Sequence, residues 1–387
     1  MSPSIARHIS AAPTSGVRDI AARVASLPDC IRLEVGQPDF RTPQHICDAA
    51  KRAIDEGRHG YTPTQGIGEL RELIAAKVAK VNDLTIEPEQ VLLGNGGTSL
   101  LADAVLATCE PGDEVLIPDP YWPTLRTILA VAGARAVRYS CRPEWDYQPD
   151  LDQLRDGVTP RTKAIVVNSP NNPTGAVYPA STLAAIGEIA AAHGLWVISD
   201  ECYDQIVAPP STVAPSMATF ADPDRVITAM AFSKTYAMTG WRIGYGFATT
   251  EAVSQMLKVA DAHNSCINTI SQLAAIEALT GPQDAVVTMN TAYRARAELA
   301  HRELEALGIP HNRPDGAFYL LADISASHFG SAAFSAALLR DHSVAVTPGS
   351  AFGSVSEKAV RISLASSEAD LVEGIHRIGK LVEAFAR

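Results

Sequence analysis

Between residues 43 and about 281, short apolar runs with strand character alternate with segments of helical periodicity. This alternation predicts an α/β fold, with a mostly parallel sheet covered by helices on both faces. Right-handed crossovers bring the loops that follow the strands to one edge, where ligands of open α/β sheets bind. The clearest predicted strands are 91–93, 114–117, 164–167, 196–199 and 226–229.

The ends of the chain predict two further parts. Residues 1–45 contain a helical pattern over 17–25 and a strand-like run over 31–35, which indicate an N-terminal arm and the start of a small domain. Residues 46–284 would form the large domain around the sheet. Residues 285–387 predict a long helix over 285–307, short strands and a terminal helix over 367–386, typical of a smaller α+β domain.

Composition excludes several classes of protein. A net charge of -11 argues against a nucleic-acid-binding surface, which would be basic. The most apolar stretch, 183–198, is interrupted by Glu188 and His193, and the N-terminus has no apolar run, so we expect no membrane span and no signal peptide. Six scattered cysteines without a CxxC or a His/Cys cluster indicate reduced thiols in a cytoplasmic protein and no metal site.

The segment from Ser233 to Gly244 sets Lys234 eight residues before Arg242 among apolar, aromatic and small residues. A desolvated lysine loses its charge and becomes nucleophilic enough to condense with a carbonyl. The arginine suits a phosphate. A carbonyl compound that carries a phosphate is pyridoxal 5′-phosphate (PLP), held as a Schiff base on a lysine. The alternative is a surface loop that carries both charges.

A glycine-rich loop, Gly94-Asn95-Gly96-Gly97-Thr98, follows the predicted strand 91–93 and precedes a predicted helix from Ser99. Free backbone amides at such a helix start bind anions. A dinucleotide site is an alternative, because Asp119 ends the next strand, but Ser99 stands where the third glycine of that fingerprint is needed. A plain tight turn is the third interpretation.

Polar and aromatic residues follow the next strands. Trp122 and its neighbour Tyr121 could stack on a flat ring or pack in the core. Asn172 lies in a Pro-rich turn that needs no function to explain it. Asp200 could keep a heterocyclic nitrogen protonated or cap a helix. Arg361 lies in an alternating strand, where a solvated arginine is the ordinary interpretation.

The lysine segment and the Asn-Pro-Thr-Gly at residues 172–175 resemble the class I/II aminotransferases, the fold type I PLP enzymes. The similarity runs from about residue 16 to the C-terminus and is to the aspartate and aromatic branch. It implies a transaminase acting on an amino acid and a 2-oxo acid. It also implies a homodimer with shared active sites.

The resemblance implies the cofactor-binding residues. Gly97 and Thr98 bind the PLP phosphate together with Arg242, and Tyr61 reaches the phosphate of the partner subunit. Trp122, rather than Tyr121, stacks on the pyridine ring. One departure concerns the phosphate site: the family often has a serine three residues before the lysine, where this chain has Ala231. We therefore expect either slightly weaker phosphate binding or a phosphate site completed by Ser233.

The resemblance also implies the catalytic and substrate-binding residues. Asp200 pairs with the ring nitrogen, and Tyr203 donates to the phenolic oxygen of the cofactor. Asn172 contacts that oxygen and the substrate carboxylate. Arg361 clamps the α-carboxylate with a bidentate bond, and the backbone of Gly36 faces it.

The second departure concerns substrate choice. No arginine lies between Arg242 and Arg294, and the segment 263–268 is polar but uncharged. We therefore expect neutral or aromatic amino acids to be turned over at least as well as aspartate. Two other functions stay open: a different PLP reaction, such as β-elimination or a biosynthetic synthase, and a non-catalytic PLP-binding regulatory module.

Overall fold

The protein is represented by a computed structural model that describes residues 5–10, 12, 20, 23–24, 27 and 29–386. Strands among these residues are β1 (Ile31–Arg32), β2 (Val91–Gly94), β3 (Glu114–Asp119), β4 (Arg135–Ser140), β5 (Thr162–Asn168), β6 (Trp196–Asp200), β7 (Val226–Ala231), β8 (Gly244–Phe247), β9 (Tyr319–Asp323), β10 (Val344–Ala345), β11 (Thr347–Pro348) and β12 (Ala359–Ser363).

Helices surround these strands. They are α1 (Arg7–Ser10), α2 (Gln44–Asp55), α3 (Gly68–Asn82), α4 (Gly97–Thr108), α5 (Thr124–Ala132), α6 (Leu151–Asp156), α7 (Ala180–His193), α8 (Phe232–Thr235), α9 (Thr250–Asn264), α10 (Thr269–Thr280), α11 (Asp284–Ala306), α12 (Ser331–His342) and α13 (Glu368–Ala386). No helix in the described part of the chain is both long and apolar enough to cross a membrane.

Seven strands form the central sheet, in the order β2-β8-β7-β6-β5-β3-β4. Only β8 runs antiparallel to its neighbours, so the other six strands point in one direction. The middle strands β5 and β7 are mostly apolar and almost wholly buried, as expected of a sheet covered on both faces. The carboxyl ends of these six strands therefore meet at one edge.

Side-chain caps fix the start of the two helices that follow β8. The Thr249 hydroxyl accepts from the backbone N–H of Ala252 at the start of α9. The Asn268 side chain accepts from Ser271 N–H at the start of α10. Such bonds satisfy amides that have no partner within the helix, and each stabilises a helix by about 1 kcal/mol.

A second, antiparallel sheet of three strands, in the order β11-β12-β9, packs with α11, α12 and α13 around its own apolar cluster. The N-terminal segment lies beside this sheet, and its strand β1 pairs parallel with β10 in a separate two-stranded sheet. Leu33 continues this attachment, since its carbonyl accepts from Ser363 N–H at 2.8 Å. The segment that leads to Gly36 is thereby fixed beside β12.

The predicted α/β architecture and its five clearest strands are confirmed, each strand extending one to three residues beyond its predicted bounds. The long helix and the terminal helix are present as α11 and α13. The helical pattern over 17–25 falls largely outside the described residues. The predicted strand over 31–35 is wrong beyond Arg32, because Leu33 and Glu34 bond to more than one neighbouring segment. The domain limits stay a prediction.

Candidate active site

A pocket of about 500 Å³ lies at the edge where the parallel strands end. Ten of the eleven predicted site residues line it: Gly36, Gly97, Thr98, Trp122, Asn172, Asp200, Tyr203, Lys234, Arg242 and Arg361. The eleventh, Tyr61, does not line the pocket and is 95% exposed. Residues as far apart in sequence as Gly36 and Arg361 are thus brought to one site by the fold.

Lys234 lies in the short helix α8, directly after β7. Its Nζ donates to the carbonyl of Gly36 at 2.5 Å and lies 5.9 Å from the ring centres of Tyr203 and Phe318. Burial, assisted by the positive charges of Arg361 and Arg242, lowers the pKa of Lys234 to about 8. The amine is therefore a far better nucleophile near neutral pH than an ordinary lysine.

Asp200 ends β6 and is buried at the base of the pocket. Its Oδ1 accepts from Cys202 N–H in a turn, and no helix starts there, so the helix-cap interpretation is wrong. Burial raises the pKa of its carboxyl, and no cation among the described residues forms an ion pair with it. A protonated heterocyclic nitrogen would supply the missing positive charge.

The glycine loop leaves no room for side chains at the start of α4, because Cys202 and Arg242 pack against it. A Cβ at Gly97 would come within 2.5 Å of Cys202 Sγ, and one at Gly96 within 2.7 Å of Arg242 Nη2. Arg242 donates only to the carbonyls of Thr239 and Asn95 among the described residues. Free amides and a guanidinium with no carboxylate partner form a site for a phosphate.

Ala231 and Ser233 flank this anion site, and both line the pocket.

Burial raises the pKa of the Cys202 thiol well above its ordinary value, which keeps it protonated. A thiol in that state is a poor nucleophile, in agreement with the sequence analysis.

Arg361 is 2% exposed, so the solvated-arginine interpretation is wrong. Its guanidinium donates to Asn172 Oδ1 at 3.0 Å, Glu34 O at 2.6 Å and Thr347 Oγ1 at 3.2 Å. All three acceptors are neutral, and its buried Nε has no acceptor among the described residues. A buried cation without an anion is costly, and a bound carboxylate removes that cost.

The two aromatic candidates take different places. Tyr121 is 4% exposed and packs in the core, where Arg126 donates to its hydroxyl, whereas Trp122 lines the pocket. Tyr203 also lines the pocket, and its hydroxyl bonds to that of Tyr319 at 3.0 Å.

Among the residues of the pocket wall that sequence reasoning missed are Tyr319, Arg32 and Glu34. Tyr319 stands at the start of β9 without any motif around it. Arg32 and Glu34 did carry a signal, because they lie on one face of an extended run that ends at Gly36.

Comparison with known proteins decides the family. The family model for aminotransferase class I and II matches residues 28–378. This chain belongs to the class I and II aminotransferases. Over 385 residues, it is 36% identical to the aspartate/prephenate aminotransferase of Thermus thermophilus, with 98% of each chain covered.

Two solved structures of aminotransferases share the fold. The Thermus thermophilus aspartate aminotransferase with maleate superposes with a TM-score of 0.93 at 37% identity, covering 98% of this chain and 100% of the other. An aromatic aminotransferase from Pyrococcus horikoshii gives 0.89 at 36% identity, covering 94% and 99%. These relatives give no support to a lyase, a synthase or a regulatory module.

Aminotransferases of this class depend on PLP, and this chain is a PLP-dependent aminotransferase. The site residues fit that cofactor on three counts. Gly97 lines the pocket at a helix start whose free amides fit a phosphate, unpaired Asp200 fits a pyridinium nitrogen, and Lys234 supplies an amine with a lowered pKa. The dinucleotide interpretation of the glycine loop therefore does not apply.

Proposed function

We propose that Lys234, Asp200, Arg361 and their neighbours carry out transamination between an α-amino acid and a 2-oxo acid. The observation that supports this most directly is the position of the Lys234 amine. Its Nζ donates to the carbonyl of Gly36. Two residues earlier in the same segment, the carbonyl of Glu34 accepts from Arg361. The proton carrier and the carboxylate clamp thus share one backbone segment.

On the cofactor side, Arg242, Gly97 and Thr98 would hold the phosphate, with Ser233 beside them. Asp200 would hold the ring nitrogen in its protonated form. When bound, PLP supplies an aldehyde that exchanges amines and a ring that delocalises negative charge from the substrate carbon. Trp122 offers a face for that ring, and Tyr203 a hydroxyl for its phenolic oxygen.

On the substrate side, Arg361 would bind the α-carboxylate, with Asn172 fixing the guanidinium. This fixes the Cα–H bond relative to Lys234, whose pKa of about 8 suits an amine that alternately takes and returns a proton. Lys234 acts as the base at Cα and then as the acid at the cofactor carbon that received the amino group.

The active unit would be a cytoplasmic homodimer with shared sites. Tyr61 supports this, because a large aromatic side chain that is 95% exposed in one chain gains most from burial against another. We further propose the domain division 1–45, 46–284 and 285–387. Light scattering at micromolar concentration tests whether the protein is a dimer. The Tyr61→Phe variant should bind PLP more weakly while the dimer stays intact.

The amino donor would be a dicarboxylic amino acid such as aspartate. The relatives are named for aspartate and prephenate, and one was solved with maleate, each of which carries two carboxylates. The expectation of a neutral or aromatic donor rested on finding no further cation for the pocket. Arg32 in the pocket wall removes that premise.

The test combines colour, mass and turnover. The purified protein should be yellow, and borohydride should fix the cofactor on Lys234, visible by peptide mass. A scan of amino acids should then find donors that change the cofactor absorbance, with 2-oxoglutarate reversing it. A colourless protein that neither takes up PLP nor gains activity from it contradicts the proposal.

A further inference from the structure

Arg32 and Glu34 form an ion pair in the wall of the active-site pocket. Neither residue belongs to the set that the resemblance assigned. Glu34 is 2% exposed, whereas the Arg32 side chain is 45% exposed. The pair therefore has a buried anionic side and an accessible cationic side.

The backbone that carries this pair is held from several directions. Arg32 lies opposite Ala345 in the β1–β10 ladder, and its carbonyl accepts from the Ser366 hydroxyl at 2.9 Å. The Glu34 carbonyl accepts from Arg361 Nη2 at 2.6 Å. Two side chains on such a segment keep a fixed relation to the carboxylate clamp, which is what a specificity-determining residue needs.

Glu34 occupies only part of the Arg32 guanidinium. Its Oε1 accepts from Nε at 2.6 Å and from Nη2 at closer range. A guanidinium has five N–H donors, and no acceptor for Arg32 Nη1 is found among the described residues. The pair leaves donors free to bind a carboxylate of a ligand.

Arg32 and Arg361 line the same pocket, and each interacts with Glu34. Arg361 donates to Glu34 O, and Arg32 precedes Glu34 by two residues, so the Cα atoms of Arg32 and Glu34 are about 7 Å apart in an extended chain. Arg361 and Lys234 serve the reacting end of the substrate. Among the described residues that line the pocket, Arg32 is then the remaining cation, apart from Arg242 at the proposed phosphate site.

We propose that Arg32, held by Glu34, binds the second carboxylate of a dicarboxylic substrate and so sets the preference for acidic amino acids. This deepens, and rests on, the proposed function. Because Arg32 is fixed by an ion pair before the substrate arrives, little side-chain entropy is lost on binding. The role is one of specificity, so amino acids without a second carboxylate do not depend on it.

The first experiment measures binding rather than turnover. Succinate and butyrate have the same chain length but two and one carboxylates, and calorimetry on the PLP-loaded dimer gives both affinities. In Arg32→Gln, we expect the succinate Kd to rise about 10- to 100-fold, the range of a lost charge-assisted hydrogen bond, with butyrate changed less than about twofold. An unchanged ratio of the two affinities overturns the proposal.

The matched control is Arg155→Gln. Arg155 is similarly exposed, at 54%, and pairs with Asp152 on its own helix, but it does not line the pocket. It should leave both affinities unchanged. Arg32→Lys keeps the charge without the two-pronged geometry and should lose part of the succinate affinity. If both Arg32 variants lose butyrate binding equally, the segment is structural and the specificity role is wrong.

Turnover then separates this proposal from the one on which it rests. In Arg32→Gln, kcat/KM for aspartate should fall about 10- to 100-fold while that for alanine stays within about twofold. A variant that keeps the aspartate-to-alanine ratio of the wild type overturns the role of Arg32 alone. A wild-type holoenzyme that transaminates no amino acid overturns the proposed function, whatever the succinate result.

Discussion

The Arg361 guanidinium donates from Nη1 to Asn172 Oδ1 across 3.0 Å, although 189 positions of sequence separate the two residues. Asn172 lies in the turn after β5, and Arg361 lies in β12 of the other sheet. This bond leaves the guanidinium in one orientation with its positive charge unpaired. In the proposed site, recognition of a carboxylate is thereby built from both sheets.

Arg361→Lys should weaken every amino acid substrate together. A lysine ammonium cannot reproduce the two-pronged bond or reach Asn172 and Glu34 O at once. We expect kcat/KM for aspartate, phenylalanine and alanine to fall about 10- to 100-fold each. Steady-state kinetics with 2-oxoglutarate as acceptor measure this. A loss confined to aspartate would assign Arg361 to the side chain of the substrate instead.

The Lys234→Ala variant should retain PLP, because the proposed phosphate site at Gly97 and Arg242 is intact. Its turnover should fall by about a thousandfold or more, because the variant lacks the amine that carries the proton. Absorbance after gel filtration gives cofactor content, and stopped-flow mixing with the donor gives the rate. The control is Lys258→Ala, an exposed lysine on α9. Near-normal turnover in Lys234→Ala would move the chemistry elsewhere.

Asp200→Asn should cost turnover far more than stability. The carboxylate has no ion-pair partner in the described structure, so its charge is available to the cofactor rather than to the fold. A capping role would instead cost about 1 kcal/mol of unfolding free energy with turnover intact. The thermal midpoint and kcat of the same preparation, with PLP content checked, distinguish the two results.

The pKa of Lys234, lowered to about 8, predicts a pH dependence in the cofactor-free protein. The neutral, reactive amine predominates above the pKa, so modification of Lys234 by acetic anhydride should rise with a midpoint near pH 8. Exposed Lys258 should continue to gain reactivity toward the ordinary lysine range near 10.4. Peptide mass spectrometry follows both lysines in one sample. A shared midpoint would contradict burial as the cause.

Lys77 and Asp204 form a buried ion pair at 2.6 Å, with Asn82 bonded to both. Lys77→Met leaves Asp204 charged and unpaired, and we expect a loss of about 3–5 kcal/mol in unfolding free energy. Adding Asp204→Leu should recover most of that loss. Urea unfolding measures the stability of the Lys77→Met protein, of the double variant and of the Lys80→Met control. Equal stability of all three would show that the ion pair is dispensable.

The sequence was informative where chemistry follows a strand. Lys234, Asp200 and Asn172 each stand just after a buried apolar run, and parallel strands must end at one edge, so their convergence followed from the pattern. Strands β4 and β8 were not predicted. The first is half exposed with two arginines, and the second is only four residues long with two glycines, so neither has a strong period.

The pocket wall was harder to predict, because its remaining residues come from contacts between distant segments. Tyr319 reaches Tyr203 only through the packing of the second sheet against the first. Burial of Arg361 likewise contradicts the local alternation of β12, since both faces of that strand are covered. Residue spacing in one segment carries no information about what another segment will place over it.

The attachment of residues 31–36 beside β10 and β12 has a consequence for synthesis. Leu33 and Glu34 obtain their hydrogen-bonding partners from residues 345, 361 and 363, which leave the ribosome more than 300 residues later. Contacts of such long sequence separation form late, and until then this strand-like segment stays unpaired. The large sheet can assemble while the chain is growing, but this wall of the pocket is complete only after residues 345–363 have left the ribosome.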